Sequence, residues 1–312
     1  MPPISDDIIR LYDRFTHGEL DRRSFLESLA RAAGGAAAAS ALLPVLANDY
    51  ARAAIIAEDA PRLETFTAEF DTGDIVDEIT PDAPAGAATS PAALPHAPVV
   101  AAYGARPKKE SVLPAVVVIH ENRGLNPHIK DVARRVALEG FQAFAVDMLS
   151  PYGGTPADED AARALIGKLN RDKTAAKLAK VVEKLALLKT HQRMVGAVGF
   201  CWGGGMVNAL AAAQPALKAG VVYYGRQASA EEAARIKAAL LIHYAEKDER
   251  INAGAAAYEA ALKAAGVKYK SYVYPGVEHA FNNDTNAARY NKEAADLAWK
   301  RTIKFFRRKL AF

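Results

Sequence analysis

Beyond residue 113 the chain alternates short apolar runs with longer amphipathic segments, and this alternation restricts the fold more than any other feature of its 312 residues. The first run, Ala115–Ile119, is continuous and mostly β-branched, as expected for a central strand buried on both faces. Strands alternating with helices predict βαβ units in a mostly parallel sheet, and right-handed crossovers place helices on both of its faces. We therefore predict an α/β fold with strands at residues 115–119, 143–146, 195–200, 219–224, 239–244 and 269–274.

Two earlier strands are predicted at residues 64–70 and 99–103, where they would extend the sheet with antiparallel pairs. The stretch between them, residues 72–98, is rich in Ala, Pro, Asp, Thr and Gly, which predicts irregular surface structure. After the first buried strand, a helix is predicted at residues 127–139, ended by Gly140.

Two later helices are predicted from apolar residues that recur on one face. The helix before residue 195 would bury Leu178, Val181, Val182, Leu185 and Leu188, with Lys177, Lys180 and Lys184 on the opposite face. The last helix would bury Trp299, Ile303, Phe306 and Leu310. Its basic residues within 304–309 would then form a solvated face with a favourable charge for a helix C-terminus.

The strand at residues 195–200 runs directly into Cys201 and then into a helical segment. Gly199, Cys201 and Gly203 give the G-x-nucleophile-x-G pattern of a nucleophile elbow, with cysteine in the place of serine. A sharp strand-to-helix turn strains the backbone at the nucleophile, and side chains at the flanking glycines would clash across it. The following helix N-terminus favours a thiolate. We interpret Cys201 as a nucleophile.

An acid and a histidine follow at the ends of two later predicted strands. Asp248 comes after the strand at residues 239–244, and His279 lies in the loop after the last strand. The chain order of nucleophile, acid and histidine is that of hydrolases that carry this elbow. Glu246 and Glu249 remain alternatives for the acid. Two further histidines, His120 and His243, close buried strands and are interpreted as satisfied core groups rather than bases.

Composition and spacing argue against several other functions. The net charge is only +4 and the basic residues are scattered, so we predict no nucleic-acid partner. The single cysteine rules out an intramolecular disulfide and an intramolecular redox cycle. No cluster of His, Cys, Asp and Glu has the spacing of a metal site in the sequence, so we predict no metal and no cofactor.

The first 53 residues are predicted to form an export signal and a linker, which leaves residues 54–312 as a single domain. Arg22-Arg23 precede a moderately apolar run, as in twin-arginine export signals. The small-residue rule places a cleavage site at Val45-Leu46-Ala47. The protein would then be periplasmic or secreted, with transient contact to the twin-arginine export machinery and no stable membrane partner afterwards.

Two alternatives to export remain open for this segment. Arg31 interrupts the apolar run and Gly34-Gly35 weaken it, which fits an amphipathic helix of a cytoplasmic protein. An uncleaved membrane anchor is the other alternative, although glycines and alanines make a weak membrane span.

Residues 98–312 resemble the dienelactone hydrolase (carboxymethylenebutenolidase) family of the α/β-hydrolase superfamily. The resemblance rests on Asp248 and on the residues at 120–125, 199–204, 223–225 and 278–281. A cysteine elbow combined with an early glutamate, Glu121, is fairly specific, because most relatives of this fold use serine.

The resemblance implies a role for each of the matched residues. Cys201 would be the nucleophile, His279 its base and later the acid, and Asp248 the group that orients the imidazole. Glu121 matches a glutamate that contacts the resting thiol and helps to remove its proton when substrate arrives. The backbone N–H groups of Trp202 and Asn122 would hold the oxyanion.

This sequence departs from the family where the founding members clamp a substrate carboxylate with two arginines. One of those positions is Asn283, and the other falls near residues 147–152, which contain no arginine. Either Arg123 or Arg226, each beside a matched motif, substitutes for them, or the substrate lacks a carboxylate or carries it elsewhere. Aromatic side chains that could line the pocket are Tyr152, Trp202, Tyr224 and Phe281.

The sequence therefore predicts a hydrolase that cleaves a small-molecule lactone or carboxylic ester through a Cys-His-Asp triad and a thioester. A broader carboxylesterase or a phosphotriester-type hydrolase is the alternative on the same site. An exported ligand-binding relative without catalysis is a third interpretation.

Overall fold

Eight strands form one sheet in the structure, a computed structural model that describes residues 4–50, 55–73, 75, 98–108, 112–191 and 193–310. The strands are β1 Leu63–Asp71, β2 Val99–Pro107, β3 Ala115–Ile119, β4 Gln142–Asp147, β5 Val195–Phe200, β6 Ala219–Tyr223, β7 Ala239–Ala245 and β8 Tyr269–Tyr274. Their order across the sheet is β1-β2-β4-β3-β5-β6-β7-β8. The β1–β2 and β2–β4 pairs are antiparallel, and the other neighbours are parallel.

This arrangement confirms the predicted mostly parallel sheet with early antiparallel strands. Every residue of β3 is fully buried, as its apolar run predicts for a central strand. The irregular structure predicted for residues 72–98 falls almost entirely outside the described residues.

Helices cover both faces of the sheet. They are α1 Asp6–Thr16, α2 Arg22–Ala33, α3 Ala36–Leu46, α4 Pro127–Leu138, α5 Glu159–Lys168, α6 Arg171–Leu187, α7 Trp202–Ala213, α8 Ala230–Ala233, α9 Glu249–Asn252, α10 Ala255–Ala264 and α11 Lys292–Leu310. One apolar core packs α6, α7 and α10 on the sheet, and a second packs α4 and α11 on the other face. The last helix buries Ile303, Phe306 and Leu310, in agreement with its predicted face.

The long helix α6 differs from its predicted amphipathic pattern at two positions. Leu188 lies just beyond the last helical residue and is half-exposed. Lys177 was predicted on the polar face but is buried, and its Nζ donates a 2.5 Å hydrogen bond to the hydroxyl of Tyr152. The lysine stem packs along the apolar side one turn before Val181, so only its charged end needs a polar partner.

Residues 4–50, which we call the N-terminal segment, fold as three helices against the domain. Phe15, Phe25, Leu29 and Leu46 form their own buried apolar cluster. Hydrogen bonds tie its end to the domain, because Asn286 Nδ2 donates to the Leu46 carbonyl at 2.7 Å. The segment predicted as a signal and linker is therefore packed on the domain in this structure.

The apolar part of the N-terminal segment is divided between two helices. No single helix in the described part of the chain is long and apolar enough to cross a membrane, and α2 and α3 pass that test only as a pair bent by 111°. The side chains of Arg22 and Arg23 are 71% and 88% exposed.

The residues predicted to take part in catalysis follow the carboxyl ends of parallel strands and so lie at one edge of the sheet. Residues 120–125 follow β3, Cys201 follows β5, Asp248 follows β7 and His279 follows β8. Ligand sites of open α/β sheets lie at this edge.

Candidate active site

Cys201 occupies the turn between β5 and α7 with φ 54° and ψ −116°, a strained conformation for a residue with a side chain. A Cβ on Gly199 would overlap the carbonyl of Gly203, and a Cβ on Gly203 would overlap the carbonyls of Ile119 and His120. The glycines of the elbow are therefore needed for the steric reason that the sequence predicts. The cysteine is 8% exposed, so its sulfur is reached only through a pocket.

His279 and Asp248 form a buried pair beside this cysteine. Nδ1 of His279 lies 2.5 Å from Oδ2 of Asp248, and the carboxylate also accepts from the Ile251 N–H at the start of α9. Nε2 of His279 then faces Cys201, with the sulfur within 4.8 Å. Glu246 and Glu249 are exposed at the surface, so the geometry selects Asp248 as the partner of the histidine.

A second histidine, which the sequence did not predict, reaches the same sulfur from the N-terminal segment. Nε2 of His17 lies 3.4 Å from Sγ of Cys201, and its ring meets the His279 ring edge-on. Nδ1 of His17 lies 2.8 Å from the backbone carbonyl oxygen of Asp13, one turn earlier on α1, and 3.3 Å from a carboxylate oxygen of the same residue. The sequence carries a pattern for a helix with a buried face, because Ile8, Tyr12 and Phe15 recur at helical spacing, but this pattern does not say where the helix packs.

The two histidines change the acidity of the thiol. Burial raises the pKa of Cys201, but the charges of His279 and His17 outweigh burial and lower it to about 6. Burial lowers the pKa of His279, yet Asp248 and the thiolate together raise it well above its usual value. The pKa of His17 is likewise raised, against its burial, by Cys201 and Asp13. The thiolate of Cys201 and a protonated His279 therefore stabilise each other, and His17 adds to this by the same electrostatic attraction.

Glu121 is buried but is held by other partners than the thiol. One carboxylate oxygen accepts from Nδ2 of Asn283 at 2.8 Å, and the other lies 3.5 Å from the Tyr224 hydroxyl. This differs from the expectation that Glu121 contacts the resting thiol. The physical reason is that Asn283 draws the carboxylate away while His17 lies against the sulfur.

The two residues predicted to hold the oxyanion, Asn122 and Trp202, line the same cavity as Cys201. Trp202 is the first residue of α7, so its N–H has no partner within the helix. Asn122 is buried, and its side-chain amide donates to the carbonyl of Thr16 at 2.7 Å. The N-terminal segment therefore contacts both the nucleophile and the neighbouring loop.

A cavity of about 580 Å³ opens onto Cys201 between the N-terminal segment and helices α5 and α7. Trp202, Tyr224 and Arg226 line it, in agreement with the predicted pocket. Its wall also contains cations that the sequence did not single out, namely Arg163, Arg171 and Arg250.

Three of the residues predicted to bind substrate do not line this cavity. Tyr152 packs with Leu149 and Ile166 and accepts from Lys177. Phe281 is fully buried against Tyr224 in the core. Arg123 is buried in an ion pair with Glu159 at 2.9 Å and donates to the hydroxyl of Tyr12.

The histidines interpreted as core groups are satisfied as predicted. Nδ1 of His120 lies 2.6 Å from the Glu121 carbonyl, and its Nε2 accepts from the Met148 N–H. His243 is bonded through both ring nitrogens, to Tyr274 and to Thr302. Burial lowers the pKa of both histidines, which keeps the imidazoles neutral.

The sequence spacing predicts no cluster of metal-binding side chains, but the folded chain contains one. His17, Cys201 and His279 bring three ligand-type atoms within 4.8 Å of one another. Sequence spacing missed this cluster because His17 and Cys201 are 184 positions apart and meet only when α1 docks.

Comparisons with known proteins identify the family of this chain. A model of the dienelactone hydrolase family matches residues 100–310. A provisional carboxymethylenebutenolidase of Escherichia coli (strain K12) is 31% identical over 223 residues, which cover 66% of this chain and 81% of the relative. Another from Saccharolobus solfataricus is 35% identical over 234 residues, which cover 62% of this chain and 89% of the relative.

Solved structures show the same fold. A provisional dienelactone hydrolase from Klebsiella pneumoniae subsp. pneumoniae has a TM-score of 0.62 and 27% identity, covering 78% of this chain and 98% of its own. A dienelactone hydrolase-like promiscuous phosphotriesterase from metagenomic libraries has a TM-score of 0.65 and 20% identity, and the match covers 80% of this chain and 99% of that protein.

The family match contains the elbow, the acid and the histidine, whereas Asp13 and His17 lie outside it. The matched region is well over half of the chain, and its sheet has the strand order described above. This protein belongs to the dienelactone hydrolase family, a family of hydrolases with the α/β-hydrolase fold.

Proposed function

We propose that this protein hydrolyses a lactone or a small carboxylic ester through the thiolate of Cys201. The observation that carries the proposal is the 2.5 Å contact between His279 Nδ1 and Asp248 Oδ2, with Nε2 of the same ring facing the cysteine. A nucleophile next to a histidine that a third group orients is the arrangement used for covalent catalysis of acyl transfer.

The reaction begins with the thiolate already formed, because the pKa of Cys201 is lowered to about 6. Sγ attacks the carbonyl carbon, and the carbonyl oxygen takes up the negative charge. The tetrahedral species collapses to a thioester, and the leaving alkoxide takes the proton from Nε2 of His279. Neutral His279 then removes a proton from water, whose oxygen attacks the thioester. Collapse releases the carboxylic acid and restores the thiolate and the imidazolium.

The charge on the carbonyl oxygen needs hydrogen-bond donors that are in position beforehand. The Trp202 N–H at the start of α7 and the Asn122 N–H in the loop after β3 are the proposed donors. Glu121 is proposed as a positioning residue, since it holds Asn283 and contacts Tyr224 in the pocket wall. Its rotation toward the sulfur requires loss of the Asn283 contact.

The cavity favours a substrate with an anionic group. Arg163 pairs with Asp160 and Arg171 with Glu232, whereas Arg226 and Arg250 have no carboxylate within salt-bridge distance among the described residues. The Arg226→Gln variant is expected to raise KM about tenfold for an ester that carries a carboxylate. Its KM for the uncharged ester of equal size is expected to stay the same. Equal KM changes for the two esters would contradict an ionic contact.

The decisive test is the Cys201→Ala variant, assayed with an activated aryl ester. Loss of at least ~10³-fold in kcat is expected, with an unchanged circular dichroism spectrum. Cys201→Ser serves as the matched control, because it keeps a nucleophile of similar shape but has no thiolate. Mass spectrometry of rapidly quenched wild-type enzyme should find the acyl group on the peptide that contains Cys201. Wild-type turnover by Cys201→Ala would exclude the proposal.

A broader carboxylesterase or a phosphotriester hydrolase is the alternative on the same site. Comparing kcat/KM for a lactone, an alkyl ester and a phosphotriester separates these functions. A non-catalytic ligand-binding relative would instead alkylate slowly at Cys201, with no pH-dependent enhancement of the rate.

For localisation we propose export through the twin-arginine route, on the strength of the Arg22-Arg23 pair and its surface position. The test is the compartment of the full chain compared with an Arg22→Lys, Arg23→Lys variant. Export of that variant at the wild-type level would contradict the proposal.

A further inference from the structure

Three atoms of the kinds that bind soft metal ions converge at the active-site sulfur. One ring nitrogen of His17, Sγ of Cys201 and one ring nitrogen of His279 lie within 4.8 Å of one another, and Nε2 of His17 is 3.4 Å from the sulfur. Tetrahedral Zn²⁺ with its usual bond lengths separates its nitrogen and sulfur ligands by about 3.3 to 3.6 Å. Roughly 1 Å of side-chain movement is therefore enough to bring all three atoms to one ion.

Both imidazoles are held at Nδ1 by an oxygen acceptor, with a carboxylate nearby in each case. Nδ1 of His279 lies 2.5 Å from the Asp248 carboxylate, whereas Nδ1 of His17 lies 2.8 Å from the Asp13 backbone carbonyl and 3.3 Å from its carboxylate. A carboxylate on Nδ1 fixes the tautomer whose Nε2 lone pair points at a metal, which is the usual outer shell of histidine ligands. Nε2 of His279 is buried and has no hydrogen-bond partner among the described residues. Loss of the proton from this nitrogen would leave a lone pair that no other group of the described residues uses.

The cluster has one open side. All three residues line the cavity of about 580 Å³, so water or another small ligand has room to complete a tetrahedron. Three protein ligands with an open fourth position are typical of exchangeable zinc sites rather than of closed structural ones. A thiolate with two imidazoles prefers Zn²⁺ over the hard ions Mg²⁺ and Ca²⁺.

We propose that His17, Cys201 and His279 together bind Zn²⁺ reversibly, and that the bound ion switches off hydrolysis. The ion forms a bond to the sulfur lone pair that would otherwise attack the substrate carbonyl. Binding displaces any proton on the thiol and on the two Nε2 atoms, so affinity should increase with pH. The proposal goes beyond the proposed hydrolysis, although both use the same sulfur.

The experiment uses the metal-free full-length protein and Zn²⁺, with a chromophoric chelator as competitor. His17→Gln should weaken binding at least ~100-fold, because one of three protein ligands is lost. Co²⁺ as a spectroscopic substitute should give a near-ultraviolet sulfur-to-cobalt charge-transfer band, which Cys201→Ser should abolish. Zn²⁺ should inhibit the wild-type enzyme, and excess chelator should restore its activity.

A second variant keeps the test valid if His17→Gln disturbs the docking of α1. Asp13→Asn retains the ligand but removes its outer carboxylate, and it should weaken binding by roughly 10- to 100-fold. Glu27→Gln is the matched control, because Glu27 is an exposed carboxylate of the same segment whose ion-pair partner among the described residues is the exposed Arg23. It should bind Zn²⁺ like the wild type.

The outcomes separate this proposal from the proposed function. Zn²⁺ binding that is equal in the wild type and His17→Gln would overturn the three-ligand site, as would a cobalt complex without the charge-transfer band. Failure of Zn²⁺ to bind a metal-free enzyme that hydrolyses esters through Cys201 would overturn only the metal site. Zn²⁺ binding by a protein without Cys201-dependent hydrolysis would instead overturn only the proposed function.

Discussion

Two histidine–carboxylate pairs meet at one sulfur, and they come from very different parts of the molecule. His279 and Asp248 lie on loops after adjacent parallel strands within the family match, with side chains that are 4% and 2% exposed. Asp13 lies on helix α1 and His17 directly after it, both outside that match. Their side chains are 18% and 13% exposed, respectively. The first pair is fixed by the sheet, whereas the second is present only while α1 is docked.

The contacts that hold α1 in place explain this difference. Asp6 pairs with Lys247 at 2.7 Å and Asp13 with Arg289 at 3.3 Å, but the first of these pairs is exposed and such pairs contribute little to stability. The buried cluster around Phe25 and Leu29 provides most of the apolar contact within the segment. We call His279 and Asp248 the sheet pair, and His17 and Asp13 the helix pair. The comparison therefore suggests that the sheet pair performs catalysis and that the helix pair modulates it.

The largest expected difference between the pairs is in turnover of the metal-free enzyme. His279→Gln should lower kcat/KM for an activated ester by at least ~10³-fold, because the proton carrier is lost. His17→Gln should lower it less than about tenfold, since His17 acts only through its charge. Steady-state assays of both variants test this, and equal losses would show that the two histidines share one role.

A smaller difference is expected when only the carboxylates are neutralised. Asp248→Asn should lower kcat by roughly a hundredfold, because the amide no longer fixes the tautomer of His279. Asp13→Asn should change kcat only severalfold, and Glu27→Gln should not change it. Kinetics and thermal melting of the three variants check this order. An Asp13→Asn defect as large as that of Asp248→Asn would contradict it.

The smallest expected effect is on the pH dependence of thiol alkylation. The pKa of Cys201 is lowered to about 6, so the rate with chloroacetamide should fall as pH falls below about 6 and level off above it. His17→Gln removes one of the charges that lower the pKa, so the inflection should move to higher pH. Rates measured from acid to neutral pH check the direction, and an unmoved inflection would mean that His17 carries no charge at the thiol.

The sheet pair could be predicted from sequence because each residue follows an apolar strand, and parallel strands deliver their ends to one edge. Cys201, Asp248 and His279 lie at three such ends. The central strand β3 could be predicted equally well, because all of its residues are apolar, and all of them are buried in the structure. Local patterns determined these positions, so one sequence was enough.

The helix pair could not be predicted, because no local pattern says where a surface helix will dock. The arginine pair at residues 22 and 23 predicts an export signal in the N-terminal segment, and a prediction of that kind says nothing about where α1 packs. The pocket predictions failed for a related reason: Arg123 and Phe281 stand beside matched motifs, but neighbouring elements cover their side chains. Which way a side chain faces beyond a strand end depends on tertiary packing that the strand pattern does not contain.

The hydrogen bond from the Asn286 amide to the carbonyl of Leu46 joins the domain to the segment that is proposed to direct export. A maturation cut next to that carbonyl would release an imidazole, a carboxylate and the Thr16 carbonyl from the neighbourhood of the sulfur. Newly made and matured protein would then differ in acidity at the nucleophile and in the room above it, although no atom of the domain had changed. One gene would yield two catalysts in succession.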